Sequence, residues 1–148
     1  MTNIIILICT ILAGFLVGRH FANIQMQRGQ FFGDLTKYII LLKANISSRR
    51  DELDTFNKDF SQSSSEVFRN YLLGGSNPSF LTKKQRALVD AFFASLSNTT
   101  SVQLLNNLDY YQKLIELENS TVEKDARNGV VSVKLGVLLG VMVGILLM

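Results

Sequence analysis

The chain begins and ends with a long apolar run, and its charged residues lie between the two runs. Neither residues 2–18 (TNIIILICTILAGFLVG) nor 135–148 (LGVLLGVMVGILLM) contain a charged side chain. As a helix the first run is about 26 Å long, near the lower limit for crossing a hydrocarbon layer of about 30 Å. The last run alone reaches only about 21 Å, but it spans the layer when it is extended back to Gly129. The pattern predicts transmembrane helices at 2–18 and 129–148.

Small residues recur every fourth position in both apolar runs. In the first run they are Thr10, Gly14 and Gly18, and Ala22 continues the spacing beyond it. In the last run they are Gly136, Gly140 and Gly144, and Ser132 precedes them at the same spacing. Residues four apart share one helix face, and small side chains let two helix backbones come close inside a membrane. We predict that Gly14, Gly18, Gly136, Gly140 and Gly144 are helix-packing positions, within one molecule or between copies in a homo-oligomer. A buried core helix is the alternative for the last run, and the three glycines disfavour it.

Two kinds of cleaved leader are alternatives to a retained first span. A secretory signal needs a positively charged start, and residues 1–18 contain no Lys or Arg. The pair Gly14-Phe15 resembles a pilin cleavage junction, but pilins carry a glutamate early in the following helix, whereas this chain has Arg19. A retained transmembrane helix is the better interpretation.

The basic residues beside the two runs predict the orientation of the chain. Arg19 and Arg28 follow the first run, and Lys124, Arg127 and Lys134 precede the apolar end of the second. Lys and Arg near the ends of a span favour the cytoplasmic side of the membrane. The basic residues beside each span therefore place the middle of the chain in the cytoplasm and both termini outside. Arg19, Arg28, Arg127 and Lys134 are the predicted membrane-edge anchors.

Residues 19–128 have the apolar spacing of helices and almost no strand signal. The first span is expected to continue as one long helix to about Ile46, with Gly29 and Gly33 marking a bend or close packing. The glycine-rich stretch 74–80 (GGSNPSF) holds the only proline and is read as a linker. The last helix is expected to run into the terminal span. The predicted fold is therefore all-α, with two transmembrane helices flanking a small cytoplasmic helical bundle.

Capping signals divide this middle region into helices. Asp51 is expected to start a second helix, Ser61–Ser65 to form a loop, and Ser65 to start a short third helix. Thr82 with Gln85, and Thr100 with Gln103, form the pattern of a capping box, in which each residue bonds the backbone of the other.

The charge of the chain gives little support for nucleic-acid binding. The net charge is +3, and the basic residues are scattered, with no run longer than two. Lys83, Lys84 and Arg86 form the densest basic patch, which is read as a solvated helix face.

The residues suited to catalysis or metal binding do not form a recognisable set. Cys9 and His20 are each single and lie at the membrane end of the chain. The acids Glu116, Glu118 and Glu123 are read as a solvated face, and the aromatic residues of the middle region as core. We expect no enzyme activity, no metal or other cofactor and no small-molecule substrate.

Taken over nearly its full length, the chain resembles the stage III sporulation protein AB family. The resemblance rests on a first span ending in Gly18-Arg19, a long helix with LLKANISSRRDELDTF at 41–56, a helix-turn-helix around Phe93–Leu96, and the ending Lys134-Leu135-Gly136-x-Leu138-x-Gly140. That family is in turn similar to the inner-membrane platform protein of type II secretion and type IV pilus machines.

The resemblance implies a non-enzymatic, multi-pass membrane component of the channel between mother cell and forespore in endospore formers. Its central domain would lie in the mother-cell cytoplasm and dock a hexameric secretion-type ATPase, beside other channel proteins. Two alternatives stay open from the residues alone: a small membrane-anchored sensor or regulatory subunit, and a holin-like protein, for which the middle region is large.

Overall fold

Five α-helices account for nearly all of the residues that the structure describes, and those residues include no β-strand. The structure is a computed structural model that describes residues 2–48, 52–74, 78–96 and 101–146. The helices are α1 (Thr2–Ser48), α2 (Leu53–Ser63), α3 (Glu66–Leu72), α4 (Lys83–Leu96) and α5 (Ser101–Leu146). The prediction of an all-α fold is confirmed.

The chain divides into two compact units. Unit 1 comprises Met1–Gln27 and Val122–Met148, and unit 2 comprises Arg28–Thr121. The long helices α1 and α5 each contribute to both units, as expected from the unbroken apolar spacing. Gly29 and Gly33 lie inside α1, where an added Cβ would meet no atom within 4 Å. Of the two expectations for these glycines, close packing is wrong, and a bend stays a prediction.

The local capping signals are confirmed in part. Ser65 caps α3, its hydroxyl oxygen accepting a hydrogen bond from the backbone N–H of Phe68. Thr82 and Gln85 form the capping box at the start of α4, because each backbone N–H donates to the side-chain oxygen of the other, at 3.0 and 3.3 Å.

Other predicted boundaries of the middle region need correction. Asp51 lies outside the described residues, and the residue at the cap position of α2 is Glu52, whose side chain makes no capping bond. Helix α2 also continues through Ser63, so the predicted loop at 61–65 shrinks to Ser64 and Ser65. Thr100, the start of the second predicted capping box, lies outside the described residues as well.

The core of unit 2 is built from aromatic rings that meet around Tyr38 of α1. Five rings lie within 6.3 Å of the Tyr38 ring, measured between centroids. They come from α2, α3 and α4, and are Phe56, Phe60, Phe68, Phe92 and Phe93. The Tyr38 side chain is fully buried, and its hydroxyl donates a 2.6 Å hydrogen bond to Oδ1 of Asn57. The interpretation of the aromatic residues as core is thus confirmed here.

Polar contacts fasten the short helices to α1. The carboxylate of Asp34 in α1 accepts a hydrogen bond from the backbone N–H of Ser65, at 2.7 Å, so α1 holds the residue that caps α3. Arg69 of α3 donates to the carbonyl of Ser61 at 2.8 Å, which joins α3 to α2. Lys43 of α1 pairs with Asp109 of α5. These bonds fix the helices that the rings pack together.

Tyr71 at the edge of the aromatic core carries a titratable group with a shifted pKa. Burial raises the pKa of Tyr71 to about 12, and the negative charge of Asp90 together with its hydrogen bond to the phenol adds to the rise. The neutral phenol is thus favoured in the fold, so its stabilising contribution is fully present below pH 10. It is lost as the pH rises from 10 to about 12.

We predict that removing the Tyr71 hydroxyl changes the alkaline stability of the full chain. In Tyr71→Phe the free energy of unfolding should fall less between pH 10 and about 12 than in the unmodified chain, because no phenol ionises at that position. The difference in tyrosinate absorbance between the two proteins reports Tyr71 directly, and Asp90→Asn should move that difference curve to lower pH. A Tyr71 curve centred at pH 10 would contradict the assignment.

Candidate helix-packing site

The outside of unit 1 is covered with apolar side chains. In α1 the exposed ones are Ile4, Ile5, Ile8, Leu12, Phe15, Leu16, Val17, Phe21 and Met26; in α5 they are Val131, Leu135, Leu138, Leu139, Met142, Val143, Ile145 and Leu146. Soluble monomers rarely expose a contiguous apolar surface of this kind. Helix α1 is long and apolar enough to cross a membrane, within Leu7–Ser48, and only 6% of its most apolar window is buried.

This low burial separates α1 from the core helix of a soluble protein, although a signal sequence near an N-terminus has the same length and composition. A second candidate span joins Gln103–Asn128 and Val133–Leu146, two segments of α5 whose directions differ by 43°. The structure thus establishes one helix long and apolar enough to span, and a second only if the bent pair is counted as one.

Glycines of α1 and α5 face each other across a backbone contact inside unit 1. A Cβ added to Gly136 would lie 2.5 Å from the carbonyl oxygen of Gly14 and 3.5 Å from the Cα of Gly18. A Cβ added to Gly14 would in turn collide with the carbonyl of Gly136. Contacts with backbone atoms cannot be relieved by a side-chain rotation. The two helices can therefore keep this separation only if both positions lack a side chain.

The contact continues along both helices, one turn at a time. A Cβ on Gly140 would lie 2.6 Å from the carbonyl oxygen of Thr10 and 3.1 Å from the Cα of Ile11. A Cβ on Gly144 would meet Leu7, with its Cα at 3.4 Å, and the hydroxyl of Thr10 at 2.7 Å. The structure thus brings all five predicted packing glycines into one antiparallel contact. Ser132, the predicted extension of the stripe, has a side chain outside the described set.

The predicted membrane-edge residues do not share one environment. Arg19, Arg127 and Lys134 are exposed, as an interfacial cation requires. Arg28 is half-buried and belongs to unit 2, where its Nε donates a hydrogen bond to the carbonyl of Phe80. The side chain of Arg28 thus ties α1 to the end of the linker at 74–80, a role that the charge pattern did not reveal.

The described residues bring together no group of three His, Cys, Asp or Glu side chains that could hold a metal ion. Cys9 is exposed, and His20 is exposed beside the ring of Phe21 at 6.4 Å between centroids. Glu116 is exposed and accepts from Gln112 of the same helix at 2.7 Å, whereas Glu118 accepts from Gln85 at 2.8 Å and so joins α5 to α4. That the chain is not an enzyme stays a prediction.

Comparisons with protein-family models, with curated proteins and with solved structures found no match for this chain. The resemblance to the sporulation family therefore stays a hypothesis that rests on the residues quoted for it.

Some of the contact residues carried no signal in the sequence. Leu7 and Ile11 are apolar residues among many, and only the position of the opposite helix identifies them as neighbours of Gly144 and Gly140. The fourfold spacing did mark Thr10 as a member of the stripe. Spacing alone also drew attention to Gly29 and Gly33, which face open space.

We predict that a side chain at Gly140 separates the two helices. The test uses Leu7→Cys with Gly144→Cys in a Cys9→Ser background, because a Cβ at 144 would lie 3.4 Å from the Cα of Leu7, close enough for a disulfide. Adding Gly140→Leu should lower the yield of this disulfide in membranes, since the leucine would collide with the backbone at Thr10.

The control is Gly33→Leu, the same substitution where nothing lies within 4 Å, and it should leave the yield unchanged. A cross-linked product at the monomer mass would show that the contact is intramolecular, and one at the dimer mass that it joins two copies. Equal yields in the Gly140 and Gly33 variants would mean that the helices do not approach at this point.

Proposed function

We propose that the chain is a two-span integral membrane protein whose helical middle region lies in the cytoplasm and acts as a non-enzymatic docking platform. The spans are 2–18 and 129–148, and the cytoplasmic domain is 19–128. In this proposal the protein is part of the mother cell–forespore channel of endospore formation, and its cytoplasmic domain binds a secretion-type ATPase.

The observation that carries the membrane part is the combination of the glycine contact with an apolar exterior. In water, the association of two helices is stabilised most by burying large apolar side chains between them. In unit 1 such side chains are exposed instead, and glycines lie at the contact between the helices. Lipid tails give no hydrophobic drive between helices, so helices in a membrane associate through close backbone packing at small residues. The arrangement of unit 1 is the one expected for a helix pair surrounded by lipid.

The packing and hydrogen bonds of unit 2 support the proposed role as a docking platform. Its core consists of packed rings, and acids such as Asp34, Asp109 and Glu118 accept bonds from residues of neighbouring helices. Such a domain offers a rigid surface to a partner. That the partner is a secretion-type ATPase rests on the resemblance alone, through the residues at 41–56, Phe93–Leu96 and Lys134–Gly140.

We predict that the two ends and the middle of the chain lie on opposite sides of the membrane. A reporter fused at Ser76 should be active as a cytoplasmic fusion, and one fused after Met148 as an external fusion, because the basic residues flank the inner edges of both spans. Carbonate washing should leave the full chain in the membrane fraction. A cytoplasmic signal at both fusion points would remove the second span.

We further predict that the full chain, solubilised in detergent, captures the secretion-type ATPase encoded with it in a sporulating bacterium. Capture should persist in Cys9→Ser and His20→Ala, since neither side chain lies in unit 2. The matched control is the protein without residues 78–96, which lacks α4 and the Phe92 and Phe93 rings of the core. Equal recovery of the ATPase with the intact chain, this control and empty resin would contradict the docking role.

A further inference from the structure

The basic patch at the start of α4 lies at the end of unit 2 where the chain enters and leaves that unit. The chain enters unit 2 at Arg28 and leaves it at Thr121. Near the entry, Arg28 donates to the carbonyl of Phe80, whose ring packs on Phe31 at 5.9 Å between centroids. Near the exit, Gln85 donates to Glu118 at 2.8 Å. Two separate contacts thus place the first turn of α4 at this end.

The positive charges of the patch, Lys83, Lys84 and Arg86, are not paired with a carboxylate in the described part of the chain. Lys83 and Lys84 are exposed and form no ion pair with any residue that the structure describes. Arg86 donates a hydrogen bond to the carbonyl of Pro78 at 3.4 Å. Asp90, the acid within α4, hydrogen-bonds the phenol of Tyr71, and Glu118 of α5 accepts from Gln85. Neither acid forms an ion pair with Lys83 or Lys84.

The position of the two lysines within α4 is unfavourable for the helix itself. Lys83 is the first residue of α4, and the first turn contains no acid. The helix dipole places partial positive charge at this end, which favours anions and disfavours lysine. A solvated helix face gives no reason for this arrangement, whereas an anionic surface opposite the patch would be attracted by the lysines and the dipole together.

The length of α1 sets the distance to the membrane in the proposed topology. Ten residues, about 15 Å of helix, separate Gly18 at the end of the first span from Arg28. The headgroup layer takes up about 5–7 Å of that distance, and electrostatic attraction reaches about 8 Å further at physiological salt. In that topology Arg28, whose side chain donates to the carbonyl of Phe80, is within electrostatic range of anionic headgroups.

We propose that Lys83 and Lys84, backed by Arg86, form a contact surface for anionic phospholipid headgroups that holds the helical domain against the membrane. The inference rests on the proposed membrane topology and adds to it a second, electrostatic attachment. Each lysine near an anionic surface is expected to contribute about fivefold to the equilibrium between contact and release, so the pair contributes about 30-fold.

The test places a fluorophore beside the patch, on Ser79→Cys in a Cys9→Ser background of the full chain. The protein is reconstituted into vesicles of phosphatidylcholine, with or without phosphatidylglycerol, that also contain a headgroup-linked quencher. Quenching should be stronger with phosphatidylglycerol, should fall at high salt, and should fall in Lys83→Gln/Lys84→Gln. The matched control is Lys58→Gln/Lys113→Gln, which removes the same charge from exposed lysines of α2 and α5.

The possible outcomes separate the two proposals. Quenching that depends on phosphatidylglycerol and is lost only in the α4 variant supports the lipid contact. Equal quenching with both lipids, or an equal loss of quenching in the control variant, overturns the lipid contact. Carbonate-resistant insertion of the same protein would still support the two-span topology. The patch would then bind a protein or another anion. Failure to insert into either vesicle overturns both proposals.

Discussion

The backbone contact between Gly14 and Gly136 is the constraint on which unit 1 depends. Large apolar side chains cover the outside of this unit, and at Gly14, Gly136 and Gly140 the helix backbones approach each other with no side chain between them. Each contact between two atoms contributes little, but a helix pair that loses its register loses many of them together. The same face must therefore stay free of side chains for several turns, which explains why Gly136, Gly140 and Gly144 recur at one spacing.

Unit 2 is stabilised by the opposite principle. Its helices meet through rings that converge on Tyr38, whose burial removes a large apolar surface from water. The Tyr38 hydroxyl does not remain unsatisfied in this core, because Asn57 accepts its hydrogen. One chain thus uses close backbone packing where the surroundings are apolar in our proposal, and burial of large side chains where they are aqueous. The change occurs along continuous helices, at Gln27 in α1 and Val122 in α5.

Features that depend on near neighbours in sequence were predictable, and features that depend on distant ones were not. Ser65 and the Thr82–Gln85 box satisfy backbone groups three residues away, so their signals are local. The fourfold glycine spacing identified the packing face but could not distinguish Gly140 from Gly33, because only the opposite helix decides whether space is free. The bond from Arg28 to Phe80 crosses 52 positions, and a charge count shows Arg28 only as a cation near a span.

The bond between Arg28 and Phe80 also changes the interpretation of the lysines at the start of α4. As a sequence, Lys83 and Lys84 are two basic residues far along the chain from either apolar run. In the fold, the contacts of Phe80 with Arg28 and of Gln85 with Glu118 carry them to the end of unit 2 that adjoins both runs along the chain. The positive-inside argument considers only residues close in sequence to a span. In our proposal, folding adds cations from a separate helix to those that flank the spans, because the bonds of Phe80 and Gln85 join residues far apart along the chain.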